Sequence, residues 1–111
     1  MLYKFKSKTS GDVIMLQANG QHMLEIMDKF RPDKPAQAGI LLPEQMAGAL
    51  AALTQAIQIE EAARAKALAD AQVQHLPLPK FEMVALKQRA LPLMNMIKQC
   101  LQDEVPITWG L

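Results

Sequence analysis

The two ends of this chain alternate apolar and polar residues with a period of two, and most of what lies between them does not. Residues 2–8, LYKFKSK, set Tyr3 and Phe5 against Lys4, Lys6 and Lys8, while residues 105–109, VPITW, set Val105, Ile107 and Trp109 against Pro106 and Thr108. Successive side chains of a strand point to opposite faces, so this spacing predicts a strand at each end. Tyr3, Phe5, Val105, Ile107 and Trp109 are then the buried face, and the lysines mark the opposite one. Chain ends stay ordered when a sheet ties them down, and two such ends meet most simply in one small sheet.

Between the ends the reading is mostly helical. Ser10-Gly11-Asp12 breaks the first strand, and the VIML that follows fits either a second strand or the first turn of a helix. Val13 and Leu16 continue as a helical stripe to Met23 and Met27, yet Asn19-Gly20 is a turn dipeptide. A helix from about Gly20 to Phe30 is expected, stopping before Pro32, whose ring disfavours a helical residue ahead of it. A loop through Asp33, Lys34, Pro35 and Gly39 follows. Ile40, Leu41 and Leu42 run into Pro43-Glu44-Gln45, where a proline and an acid suit a helix start.

The helix opening at Pro43 has a core-facing stripe of Met46, Leu50, Leu53 and Ile57, spaced four, three and four. The same face continues as Glu61, Arg64 and Leu68, so the apolar stripe is interrupted. A helix unbroken to about Ala71 is on the order of 40 Å long, whereas a globule of this size has a radius of gyration of only ~13 Å. Its second half therefore outreaches the core. Ala62, Ala63, Ala65, Ala67 and Ala69 favour helix without burial, and Glu60 precedes Arg64 in the favourable ion-pair order. Such an arm is either an oligomer contact or a solvated helix end. Pro77 and Pro79 in HLPLPK form a stiff connector, and a third helix follows with a stripe of Leu86, Ala90, Leu93, Met94, Ile97 and Leu101. Pro92 inside that stripe removes a backbone donor and is expected to bend the helix.

At 111 residues the chain has room for one hydrophobic core and is read as a single domain over residues 1–111. Its 50% hydrophobic and 21% charged residues are ordinary globular usage, which argues against disorder. A net charge of +1 lacks the basic footprint of nucleic-acid or anionic-membrane binding. The one cysteine, Cys100, suits a reducing compartment. The N-terminus lacks a signal peptide's apolar core, and no stretch approaches the ~20 apolar residues of a membrane span. The setting expected is cytoplasmic.

The opening MLYKFKSK, then GDVIML, GILLPEQM, the block VALKQRALPLMNMIKQ and the ending WG occur together in that order. In this combination the chain resembles a family of short bacterial proteins classed only as a domain of unknown function. It departs at Ala85, where the family often has a helix-capping serine, and at Ala47, where proline is frequent. The resemblance implies a bacterial, cytoplasmic setting and adds no catalytic residue.

Each residue that could carry chemistry also has a plainer role open to it. Lys4, Lys6 and Lys8 share a strand face and Arg89 lies on a helix that could pack near it, so convergent cations here would hold a phosphate or carboxylate. The commoner role of a lysine row is to discourage edge pairing. His22, His75 and Cys100 lie in three separate segments with no carboxylate at ligand spacing, so no metal site is assigned and the histidines are read as surface residues. Cys100 beside Ile97 and Leu101 reads as a small core residue. Asp12 and Glu44 are acids beside turns, which capping or the helix dipole explains. Met23, Met27, Met46, Met94 and Met96 read as core filling rather than an exposed binding groove, and Trp109 as a buried ring.

The reading is thus an α+β domain in which a small sheet joining the terminal strands packs against about three helices, with the end of a long central helix protruding. No cofactor is assigned. The function favoured is a non-enzymatic interaction or homo-oligomeric module, assembling through the alanine-rich arm or the sheet edges. The alternative is a binder or enzyme for a small anionic ligand using Lys4, Lys6, Lys8 and Arg89.

Overall fold

A computed structural model describes residues 2–29, 38–77 and 84–110. In chain order these form β1 (Leu2–Lys6), β2 (Val13–Leu16), α1 (Gln17–Ile26), β3 (Gly39–Leu41), α2 (Pro43–Val73), α3 (Leu86–Asp103) and β4 (Ile107–Trp109). The expected helix stop before Pro32, the loop through Asp33, Lys34 and Pro35, and the Pro79 part of the connector lie outside the described residues.

The terminal strands do pair, and they form the middle of a larger sheet. All four strands are antiparallel in the order β2-β1-β4-β3. Phe5 is opposite Trp109, Leu2 opposite Leu16, and Leu41 opposite Ile107. VIML is therefore a strand, closing a hairpin with β1 across a loop in which the Ser10 amide donates to Ser7 Oγ at 3.0 Å. The first strand ends at Lys6, two residues earlier than its lysine alternation suggests, so Lys8 lies in that loop.

Phe5, Met15, Leu41, Ile107 and Trp109 point to one face and are buried under the helices, with Tyr3, Val13 and Val105 partly buried against them. The Phe5 and Trp109 rings meet at 5.8 Å with a 57° tilt, within the range that the ring quadrupoles favour. Gly39 sits directly across from Trp109, and a β-carbon there would fall among the indole atoms.

Helix α1 begins at Gln17, three residues before the expected start, and runs straight through Asn19-Gly20. The glycine serves packing, not a turn. Gly20 is buried against Tyr3, and a β-carbon on it would lie 2.5 Å from the ring, so only glycine lets α1 come this close to β1. Met23, Leu24 and Met27 then reach the core.

At the start of α2, Gln45 Oε1 accepts the Leu42 amide at 3.0 Å and Lys29 Nζ at 2.9 Å, while Glu44 occupies the first turn near the positive helix end. Met46, Ala49, Leu53 and Ile57 are buried and Leu50 is partly so. Beyond Ile57 only Ala71 is buried in this 31-residue helix, whose length of about 46 Å exceeds the core it serves. The radius of gyration of 16.1 Å and extents of 52 × 29 × 22 Å reflect that projecting half.

Helix α3 continues through Pro92, which is exposed. Its buried stripe is Leu86, Ala90, Leu93, Met96, Ile97 and Cys100, with Met94 partly buried. Leu101, expected in that stripe, is 36% exposed. Met96 and Cys100 take inward positions, three residues past the buried Leu93 and Ile97 respectively. The helix closes with Glu104 in the left-handed region, φ 55°, which turns the chain into β4. No helix among the described residues is long and apolar enough to cross a membrane.

Candidate functional site

The first turn of α3 has no acid and no side-chain cap, because its N-cap residue is Ala85. The free amide ends of that turn need acceptors, and one comes from α2. Glu60 Oε1 accepts the Leu86 amide at 3.0 Å. The same oxygen takes Arg64 Nε at 3.0 Å, and Oε2 lies 3.7 Å from Arg89 Nη2. One carboxylate thus caps a helix and serves two guanidinium groups.

Arg89 is the other half of this clasp, with its side chain only 12% exposed. Its Nε donates to the Val84 carbonyl at 2.9 Å, and Nη1 donates to Asn19 Oδ1 at 2.9 Å and to His22 Nδ1 at 3.2 Å. Arginine can only donate, so His22 accepts through Nδ1 and carries its proton on Nε2. Helices α1, α2 and α3 are tied together at one point. His22 is accordingly a partly buried member of this network rather than the surface histidine expected from sequence, while His75 is exposed.

Beside the clasp an open groove of about 410 Å³ is lined by Leu16, Ala18, Asn19, Val84, Gln88 and Arg89. It runs between the end of β2 and the first turn of α3.

The structure does not bring Arg89 to the three lysines. Lys4 and Lys6 project from the sheet face opposite Phe5, Lys4 within 3.9 Å of Asp12, and Lys8 is exposed in the hairpin loop. Arg89 works among the helices on the other side. Asp12 pairs across the hairpin rather than starting a helix. Among the described residues no group of three His, Cys, Asp or Glu side chains could hold a metal ion, and Cys100 is buried.

The outer face of the sheet is the second notable surface. Residues directly opposite in a sheet share a face, so Leu2, Ile14, Leu16 and Ile40 stand beside Lys4, Lys6 and Thr108 there. Their exposures are 59%, 55%, 72% and 43%. The lysines had marked this face as polar. In fact its β2 and β3 positions are apolar.

Among protein families, the profile described as a domain of unknown function, DUF1840, matches residues 1–109. The chain belongs to the DUF1840 family. The family description assigns no activity to the clasp, the groove or the outer face. Neither the curated proteins nor the solved structures gave a match to this DUF1840 chain.

Proposed function

We propose that this protein is a non-enzymatic interaction module that pairs with a second copy of itself along the open edge of β2. The observation that carries the reading is the edge strand itself. Val13–Leu16 contains no charge and no proline, lies at the end of the sheet order, and exposes Ile14 and Leu16. Strand edges of this kind are templates for pairing, and proteins that stay apart blunt them with lysine, proline or a bulge. The other edge, β3, is a weaker template, being three residues long and followed closely by Pro43.

A twofold axis that sets Met15 opposite its own copy would place Ile14 opposite Leu16 of the second chain. Inner and outer faces stay matched in that register. Lys4 lies across from Ile14 within its own chain, so the lysines of the two copies are kept apart by a band of apolar side chains. The pair would share one eight-stranded sheet. In this reading the partner is another copy, or another protein adding a strand at the same edge, and neither nucleic acid nor a membrane. The near-neutral charge and the single buried thiol fit work in the reducing cytoplasm.

Light scattering and sedimentation equilibrium test the reading. The wild type is expected to dimerise reversibly, and Ile14→Lys to weaken the dimer by about tenfold or more, which corresponds to roughly 1.4 kcal/mol, with unchanged circular dichroism. A wild type that stays monomeric at its highest soluble concentration would overturn self-assembly.

A further inference from the structure

We propose that the groove beside the clasp is a binding site for a small amphiphilic carboxylate, an apolar body of about ten heavy atoms ending in one carboxyl group. This goes beyond the self-assembly reading and shares only Leu16 with it, the remaining groove residues lying on α1, on α3 and just before α3. At about 410 Å³ the groove falls in the size range of small-molecule sites, which are mostly apolar with a few placed polar groups. Leu16, Ala18 and Val84 supply the apolar walls and Asn19, Gln88 and Arg89 the polar ones.

Those three polar residues have donors to spare. The Nε and Nη1 hydrogens of Arg89 are taken by Val84, Asn19 and His22, whereas Nη2 has only Glu60 at 3.7 Å, beyond a charge-assisted hydrogen bond. Asn19 spends its oxygen on Arg89, which leaves its Nδ2 hydrogens to donate. Gln88 is exposed on the groove wall and makes no side-chain hydrogen bond within the described residues. Three donors around an apolar trough call for a ligand that accepts at one end.

Charge selects the acceptor. Glu60 divides its single negative charge between Arg64 and Arg89 and sits closer to Arg64, so it neutralises the Arg89 guanidinium only in part. A carboxylate at Nη2 would complete that neutralisation with a short, partly desolvated pair. A neutral ligand of the same shape would fill the trough without this gain.

The test is a pair of amide-resolved NMR titrations with 4-phenylbutyrate and its neutral counterpart 4-phenyl-1-butanol. The carboxylate is expected to bind with a dissociation constant on the order of 1 mM, which the usual affinity per atom of so small a ligand gives. Its shifts should centre on Leu16, Asn19, Val84 and Gln88, and the alcohol should bind at least about tenfold more weakly, the scale of one charge-assisted hydrogen bond. Gln88→Glu places a like charge on the wall at an exposed first-turn position that tolerates an acid, so it should weaken the carboxylate by a similar factor and leave the alcohol unchanged. Arg89→Lys should also weaken the carboxylate selectively, but it disturbs the clasp, so Gln88→Glu is the deciding variant. Repeating the titration in Ile14→Lys separates the groove from self-assembly, since binding there should persist whether or not the wild type dimerises. Absence of saturable shifts well above the expected constant, equal affinity for acid and alcohol, or indifference to Gln88→Glu would each overturn the proposal.

Discussion

On its inner face the sheet presents Phe5, Met15, Leu41, Ile107 and Trp109 to the helices, none more than 6% exposed, and on its outer face Leu2, Ile14, Leu16 and Ile40 stand between 43% and 72% exposed. An antiparallel sheet with one wet side ordinarily alternates apolar with polar residues along each strand, and a strand covered on both sides reads as a continuous apolar run. The central strands follow the first rule through Lys4, Lys6 and Thr108. The edge strands β2 and β3 follow the second, although helices cover only one of their sides. The difference lies in what covers each face, and β2 combines an uncovered face with an unpaired edge. That combination is why self-assembly is placed there.

The largest way to sharpen the contrast is at its buried side. Phe5→Ala should cost about 3–5 kcal/mol in denaturant unfolding, the range for emptying an aromatic core site. Gly39→Ala attacks the same face by addition, because its β-carbon would collide with the Trp109 indole, and should cost about 1–3 kcal/mol. The helical layer that distinguishes the faces is held partly by Glu60. Glu60→Ala removes both the cap on Leu86 and the counterion of Arg89 and should cost about 1–2 kcal/mol, read as a lower unfolding midpoint. On the outer face, Ile14→Thr should move monomer stability by no more than about 0.5 kcal/mol while weakening the dimer in sedimentation. A cost there as large as at Phe5 would mean that the two faces are not distinct.

The smallest effect is at the far end of α3. Hydrogen bonds from Gln99, at 2.8 Å, and from Thr9 hold the Asp103 carboxyl below its ordinary value, with desolvation opposing them weakly. A carboxyl lowered on folding stabilises the folded state above its unfolded pKa, and that contribution disappears as the pH falls through the folded value. Because Asp103 is fully exposed, the check is NMR titration, with Gln99→Ala expected to bring its pKa back toward that of a free aspartate.

Much of this arrangement was legible in the residues. Alternation in LYKFK and ITW reported both the terminal strands and which side of them is buried, because period two has no helical counterpart. The arm of α2 was legible from the point where the stripe ends at Ile57. VIML was not decidable, since four apolar residues satisfy either period, and β3 was missed because Gly39–Leu41 merges with the apolar lead into α2. Asn19-Gly20 misled because its glycine answers to the ring of Tyr3, a contact that local turn chemistry cannot reveal. The clasp was illegible for the same reason. Asn19, His22, Glu60 and Arg89 come from three helices, and the one local trace was a helix start at Ala85 with no cap of its own.

The strand between β1 and β3 is also the last in chain order. A ribosome that has produced everything up to Glu104 has made all three helices and three strands, yet the hairpin and β3 still lack the piece that joins them. Phe5 and Leu41 then face no Trp109 or Ile107, and the edges of β1 and β3 lie open to other chains. Assembly of the sheet therefore waits for β4 to be made, and a chain interrupted before Ile107 would lose the connection across its middle rather than fray at one edge.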